Sequence, residues 1–409
     1  MRKMKDSGVE WIGEIPKDWN CMRLKFAFGN SNVGESVDKE LYSSDENGYI
    51  FYTAGANPVK TSYTEFPMWK YTTDNDILLA RNGTPYIYLP SKDAVYSDHI
   101  IRINIKDGYC RRFLRYCLQR SIESIIVDSV SIATWSISLW KEQKLPLPYY
   151  HEQKYLADYL DSKCSKIDEI IEKQQAIIKK LKEYKFSIIT EAVTKGINPD
   201  VELKDSTIDM CEQIPVHWGI SQNRYLFLLR DEKNYKPLEE VRLLSLYTDL
   251  GVFPHGEQEE RGNKAVKAEG YKVVYENDIV VNIILAWMGA IGRSAYDGVT
   301  SPAYDIYKPN ENVCSRYYHY LYRTKPFSAE CYKYGRGIMA MRWRTYSSEF
   351  KSIKVPVPPY IEQCQIADYL DSKCEMLDKT IADRNKAIDI LQEYKKSLIY
   401  EVVTGKKEG

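Results

Sequence analysis

The sequence predicts an α+β fold: two α/β segments separated by two long antiparallel helices that form a coiled coil, the whole built as a pseudo-twofold internal repeat. Three observations carry this expectation. The stretch Glu152 to Gly196 returns without a gap as Glu362 to Lys406, 210 positions later, with 22 identities over 45 aligned positions. Each copy spaces its apolar residues by alternating steps of four and three, the signature of a helix with one narrow seam. Each copy also follows a segment that opens on the same short box.

The helices come first because they repeat most closely. Leu160, Cys164, Ile167, Ile171, Ile178, Leu181 and Ile188 form the first seam, broken once by Gln174. Leu370, Cys374, Leu377, Ile381, Ile388, Leu391 and Leu398 form the second in the same register, with Arg384 at the break. Prolines precede each helix (Pro146 and Pro148; Pro356, Pro358 and Pro359) and a glycine follows near each end (Gly196; Gly405), as expected for a forced start and a relaxed stop. Forty-odd helical residues make a rod of roughly 65 Å. A single apolar seam must be covered, and the obvious cover is the other copy.

Outside the helices a second repeat appears. Lys5-Asp6-Ser7, Ile15-Pro16 and Trp19 recur as Lys204-Asp205-Ser206, Ile214-Pro215 and Trp218, 199 positions later. The offset grows to 202 at Asp76-Ile77 against Asp278-Ile279, to 204 at Cys110 against Cys314, and to 210 at the helices. The second segment is therefore longer by 11 residues, inserted in loops, and the two share little beyond these anchors. The expected boundaries are 1–148, 149–196, 197–358 and 359–409: segment, helix, linker with segment, helix.

Within the segments, Asp76 to Ala80, Ala94 to Tyr96, Ile100 to Ile103 and Asp278 to Val281 read as strands, with turns at Arg81 to Pro85 and Met288-Gly289. Arg111 to Ser124 and Arg316 to Tyr322 read as short helices. The most apolar run, Ile279 to Gly292, is too short to span a membrane and is interrupted by Asn282, so a buried strand and turn is the expectation.

At 409 residues the chain exceeds what one core organises. Basic and acidic residues balance at 57 each, so any nucleic-acid surface must be local. Nine cysteines without a C-x-x-C spacing, five scattered histidines and no leading apolar segment predict a reduced, cytoplasmic protein with no metal site. Cys164 and Cys374, on the seams, read as core thiols.

Charge is concentrated. Residues 315–354 carry nine Lys or Arg against two acids, a net +7, together with ten aromatics that include Tyr332, Trp343 and Tyr346. Residues 101–145 carry eight against four, a net +4. Cations interleaved with aromatics suit a surface that neutralises phosphates and reads base edges. A solvated basic face is the plain alternative for one such window. Two windows at equivalent positions of a duplicated chain favour DNA.

Two divergent segments, each opening Ile-Pro-x-x-Trp and each followed by a helix that begins E-Q-x-x-x-A-D-Y-L-D, resemble the specificity subunit of type I restriction-modification enzymes, and the resemblance covers nearly the whole chain. It implies that the segments are target recognition domains, each reading one half of a split site in double-stranded DNA. It implies further that the antiparallel helices set the spacing, with two methyltransferase subunits clasping them and restriction subunits outside. S-adenosylmethionine, ATP and Mg are then expected in those partners, with no cofactor in this chain and no membrane association.

Two other classes compete. A coiled-coil scaffold accounts for the seams but has no use for two basic, aromatic windows. A free-standing methyltransferase needs a catalytic motif. Val357-Pro358-Pro359-Tyr360 lacks the polar first residue of the adenine methyltransferase box, and its first-copy equivalent reads Leu147-Pro148-Tyr149-Tyr150. Gly335-Arg336-Gly337 is too short for an adenosylmethionine loop, no phosphate-binding loop exists, and His99, His217 and His255 lack partners at ligand or triad spacing. No catalytic residue is assigned. The expected DNA contacts are Arg81, Asn82 and Thr84 on a turn after a strand, Arg111 and Arg112 opening a basic helix, and Arg336, Arg342, Arg344 and Lys351 in the second segment.

Overall fold

The structure is a computed structural model that describes residues 2–43, 48–128, 134–248, 251–256, 268–337 and 343–407. It divides into two compact units, Met1–Gln175 with Asn385–Gly409, and Ala176–Arg384. Each long helix is cut near its middle, within one residue of the polar seam positions Gln174 and Arg384.

The first unit is built on a four-stranded antiparallel sheet in the order Phe28–Val33, Ile100–Ile105, Asp76–Ala80, Ile87–Tyr88. All five residues of Asp76–Ala80 are buried, which explains the unbroken apolar run Ile77 to Ala80. Ile100–Ile105 alternates instead: Ile101, Ile103 and Ile105 are buried, while Arg102 and Asn104 are half-buried on the other face. Those two polar residues meet Asp76, which is fully buried; Arg102 pairs with it at 3.0 Å and Asn104 donates to it at 2.8 Å. A second four-stranded sheet (Val95–Tyr96, Tyr49–Tyr52, Val59–Thr61, Tyr42–Ser43) and the helix Arg111–Asp128 complete this layer.

The second unit repeats the scheme with other residues. Its sheet runs Phe227–Arg230, Tyr304–Pro309, Ile279–Asn282, Ile291–Arg293. Ile279 to Gly292 is thus a buried strand, a turn and the start of the next strand, as its composition predicts. Asp278, 1% exposed, takes the place of Asp76 and holds Arg230 through bonds of 2.9 and 3.3 Å. The helices Ser315–Tyr322 and Lys325–Tyr334 replace the single helix of the first unit. The second of them is missed by periodicity because it is short and rich in polar residues.

The long helices span Tyr150–Lys195 and Tyr360–Val403, 46 and 44 residues. In the first unit the leading half of one packs antiparallel on the trailing half of the other, burying Leu160, Cys164, Ile167, Ile171, Ile388 and Leu398. In the second unit Ile178, Leu370, Cys374 and Leu377 are buried. Leu181, Ile188, Ile381 and Leu391 are half-buried along the same seams. One ion pair recurs: Lys395 donates to both oxygens of Asp168 at 2.7 and 2.6 Å, and Lys185 to both of Asp378 at 2.7 Å. Asp168 and Asp378 are repeat equivalents, as are Lys185 and Lys395, so the two pairs exchange under the internal symmetry. Partly exposed pairs of this kind contribute about 0.2–1 kcal/mol each; the buried seam supplies most of the stabilisation.

Both helices end on a left-handed glycine, Gly196 at φ +81° and Gly405 at φ +71°. The Pro-x-x-Trp box of each segment packs there. A Cβ on Gly405 would lie 2.5 Å from two ring carbons of Pro16 and 3.1 Å from Trp19. On Gly196 it would lie 3.5 Å from Trp218. The sequence box is therefore a socket for a helix end.

Candidate nucleic-acid interface

In the first unit the chain leaves the buried strand Asp76–Ala80 and turns outward at Arg81. The Arg81 backbone N–H donates to the carbonyl of His99 at 2.9 Å, and its carbonyl accepts from Trp135 at 2.6 Å. The Arg81 guanidinium donates to the carbonyl of Asp98 at 3.2 Å. Asn82 forms a bridge with Thr134, and its amide nitrogen lies 2.8 Å from Nδ1 of His99. Gly83, at φ +66° with open space around it, makes the turn, and Thr84 is exposed.

The second unit places a matching junction after its own central strand. The N–H of Thr345 donates to the carbonyl of Ile283 at 2.9 Å, as Trp135 does to Arg81. Beside it, Arg336 and Arg344 pair backbone to backbone at 2.8 and 2.9 Å. The Arg336 guanidinium reaches Glu349 at 2.7 Å. The rings of Tyr332 and Trp343 stack 4.8 Å apart, and Trp287 meets Tyr332 edge-on at 5.9 Å. Lys351 is half-buried on the short helix Ser347–Ser352. Arg342 lies outside the described residues.

Arg111 and Arg112 are placed differently. Arg111 donates to the carbonyls of Asp76 and Pro90 at 3.1 and 3.2 Å. Arg112 binds Asp161 and Asp158 of the long helix, both at 2.6 Å, and Tyr116 donates to Asp161 at 2.7 Å. Arg316 and Tyr320 repeat this grip on Asp368 and Asp371 at 2.6 Å. Burial and then the bond to the Asp161 carboxylate push the Tyr116 hydroxyl above its ordinary range, keeping it a donor. A window count credits such arginines to a surface, although their charge is met inside the unit.

The A-D-Y-L-D stretch shared by both helices is thereby explained, since its two aspartates dock the preceding domain onto the helix. Gln153 belongs to the same device. Its side chain accepts the N–H of Cys110 and donates to the carbonyl of Pro148, both at 2.9 Å, and Gln363 does the same for Cys314 and Pro358 at 2.9 and 2.8 Å. None of these roles is visible from spacing alone. The usable signal is that these residues are identical in both copies while the segments they touch diverge.

A family model described as type I restriction modification DNA specificity domain matches residues 16–191. Those residues, just under half of the chain, are what is similar to that family's model. A Methanocaldococcus jannaschii sequence, provisionally named type I restriction enzyme MjaX specificity subunit, is 24% identical over 97% of this chain and 95% of its own. A solved chain from work on complex assembly and conformational transition of the type I R-M system superposes with TM-score 0.68 at 12% identity, covering 96% of this chain and 99% of that one. The HsdS subunit from Thermoanaerobacter tengcongensis gives 0.51 at 13%, covering 98% and 100%. At those identities the two structures speak to the fold.

Among the described residues no group of three or more His, Cys, Asp or Glu could hold a metal ion. No described helix is long and apolar enough to cross a membrane.

Proposed function

We propose that this chain is a non-catalytic type I specificity subunit, that each of its units reads one half of a bipartite DNA target, and that the long helices fix the spacer between the halves and dock two methyltransferase subunits. One observation carries the reading. In each unit an equivalent backbone bond holds the junction after the central strand, Trp135 N–H to Arg81 in one and Thr345 N–H to Ile283 in the other, yet the polar side chains gathered beside it differ: Arg81, Asn82 and Thr84 in the first, Arg336, Arg344 and Lys351, from the segment leading to and following Thr345, in the second. A constant frame with exchangeable polar residues is what two readers of unlike sequences require, with asparagine suited to adenine and arginine to guanine edges or phosphates. Arg111 and Arg112 we assign to bracing the first unit. Restriction subunits complete the complex, with S-adenosylmethionine, ATP and Mg used by the partners. The domain limits 1–148, 149–196, 197–358 and 359–409 describe recognition domains and spacer helices in this scheme.

The test is Arg342→Ala combined with Arg344→Ala in the complex with methyltransferase subunits. Loss of phosphate contacts weakens binding to all sequences and lowers the salt slope by about one per contact. Unchanged affinity and slope would remove this cluster from the interface.

A further inference from the structure

Arg336 and Glu349 differ sharply in environment although they touch. The Glu349 side chain is 6% exposed, that of Arg336 is 77% exposed, and Nη2 of the arginine lies 2.7 Å from Oε1 of the glutamate. The other carboxylate oxygen accepts from Ser348 Oγ at 2.6 Å. Among the described residues, the remaining side-chain N–H groups of Arg336 have no protein partner.

A buried carboxylate is costly unless charged or polar donors meet it. Among the described residues the one cation that pairs with it comes from the surface, so one side of the guanidinium is tied down while the other stays in solvent. The backbone is fixed as well. Gly335 ends the helix Lys325–Tyr334, and a Cβ there would lie 2.9 Å from the carbonyl of Cys331 and in hard overlap with Trp343, so nothing but glycine fits. One residue on, Arg336 is held by its two backbone bonds to Arg344. An exposed arginine ordinarily samples many rotamers; this one is restrained at both ends.

We infer that Glu349 is a positioning residue that aims Arg336 at a guanine in the second half-site. The inference rests on the reading of the second unit as a DNA-recognition domain. A guanidinium has five N–H donors, and one bond from Nη2 to Glu349 leaves two neighbouring N–H groups side by side. That fork matches O6 and N7 of guanine in the major groove. Holding it in advance lowers the ordering cost on binding. Leu139 stands 210 positions before Glu349, so the first unit lacks this carboxylate; its junction offers the amide of Asn82, oriented by His99, as expected of a reader of a different base.

The experiment uses the full chain in complex with its methyltransferase subunits. Methylation-site sequencing first defines the target. Binding is then measured to that duplex, to duplexes with 7-deazaguanine at each guanine of the second half-site, and to unrelated DNA. In the wild type, one 7-deazaguanine position weakens binding by about tenfold. Glu349→Gln and Arg336→Lys each abolish that one penalty while affinity for unrelated DNA and its salt slope stay within about twofold, which a general loss of structure would not do. If Arg336→Ala leaves every duplex unaffected, the arginine is not in the interface, and the reading beneath the inference fails at this residue. If Arg336→Ala removes the penalty but Glu349→Gln retains it, the positioning role alone is overturned. Glu349→Gln weakening all duplexes equally, or a second half-site that contains no sensitive guanine, also overturns it.

Discussion

The side-chain carbonyl of Gln153 accepts the backbone N–H of Cys110 at 2.9 Å, at the point where a helix of the first unit begins. The first N–H groups of a helix have no partner within it, and Gln153 also satisfies the buried carbonyl of Pro148. Gln153→Ala strands both groups. The expected loss is about 1–3 kcal/mol in denaturant unfolding. Gln363→Ala, which strands Cys314 and Pro358, should lose a similar amount.

Gly405 combines a left-handed backbone with a crowded surround, whereas Gly8 has a similar φ of +66° and open space. Left-handed backbone alone costs a non-glycine residue about 1–2 kcal/mol. Gly8→Ala should lose no more than that, and Gly405→Ala clearly more, because Pro16 and Trp19 must also move. Equal shifts in thermal unfolding would contradict the socket described for the helix end.

How much of this was legible follows from where each residue finds its partner. The seams are readable because their period is written into consecutive residues, and the strand Asp76–Ala80 because Ile77 to Ala80 is an unbroken apolar run, with the equally buried Asp76 held by Arg102. Ile100–Ile105 extends two residues past its expected end because Asn104 looks like a terminator but is bound to Asp76. Arg81 and Asn82 were placed correctly on a turn, since Gly83 marks it. Arg112 reads as a DNA contact from its basic helix because the aspartates that bind it lie 46 and 49 positions away, and Glu349 counts only as one of two acids in its window because burial is not a property of local composition.

Burial, together with the positive charge of Arg323 and Arg293, pushes His319 down to about 3, against an ordinary value near 6.5. The ring stays neutral in the folded protein and accepts the backbone N–H of Arg293 at 3.1 Å. With the folded value depressed, its contribution is complete above about pH 6.5 and is lost as pH falls toward 3. Unfolding free energy should drop by up to about 1.4 kcal/mol per pH unit over that range. His319→Asn, which can keep an acceptor without titrating, should flatten the slope between pH 6.5 and 5; an unchanged slope would place the acid sensitivity elsewhere.

The exchange of Asp168–Lys395 for Asp378–Lys185 under the repeat has a consequence for a truncated chain. Residues 1–198 lack Lys395 but contain its equivalent, Lys185. Two copies can therefore pair antiparallel, with Asp168 of one copy meeting Lys185 of the other in an isologous contact. Light scattering should report a dimer, and with methyltransferase subunits the modified site should be a split palindrome. A folded monomer would contradict the seam pairing.

The central claim is that each unit reads one half-site on its own. It is tested most directly by replacing residues 15–145 with the corresponding segment of another specificity subunit and sequencing the methylated sites of the resulting complex. The account predicts that one half-site changes while the other half-site and the spacer length are retained; a change in both half-sites, or in the spacer, would contradict it.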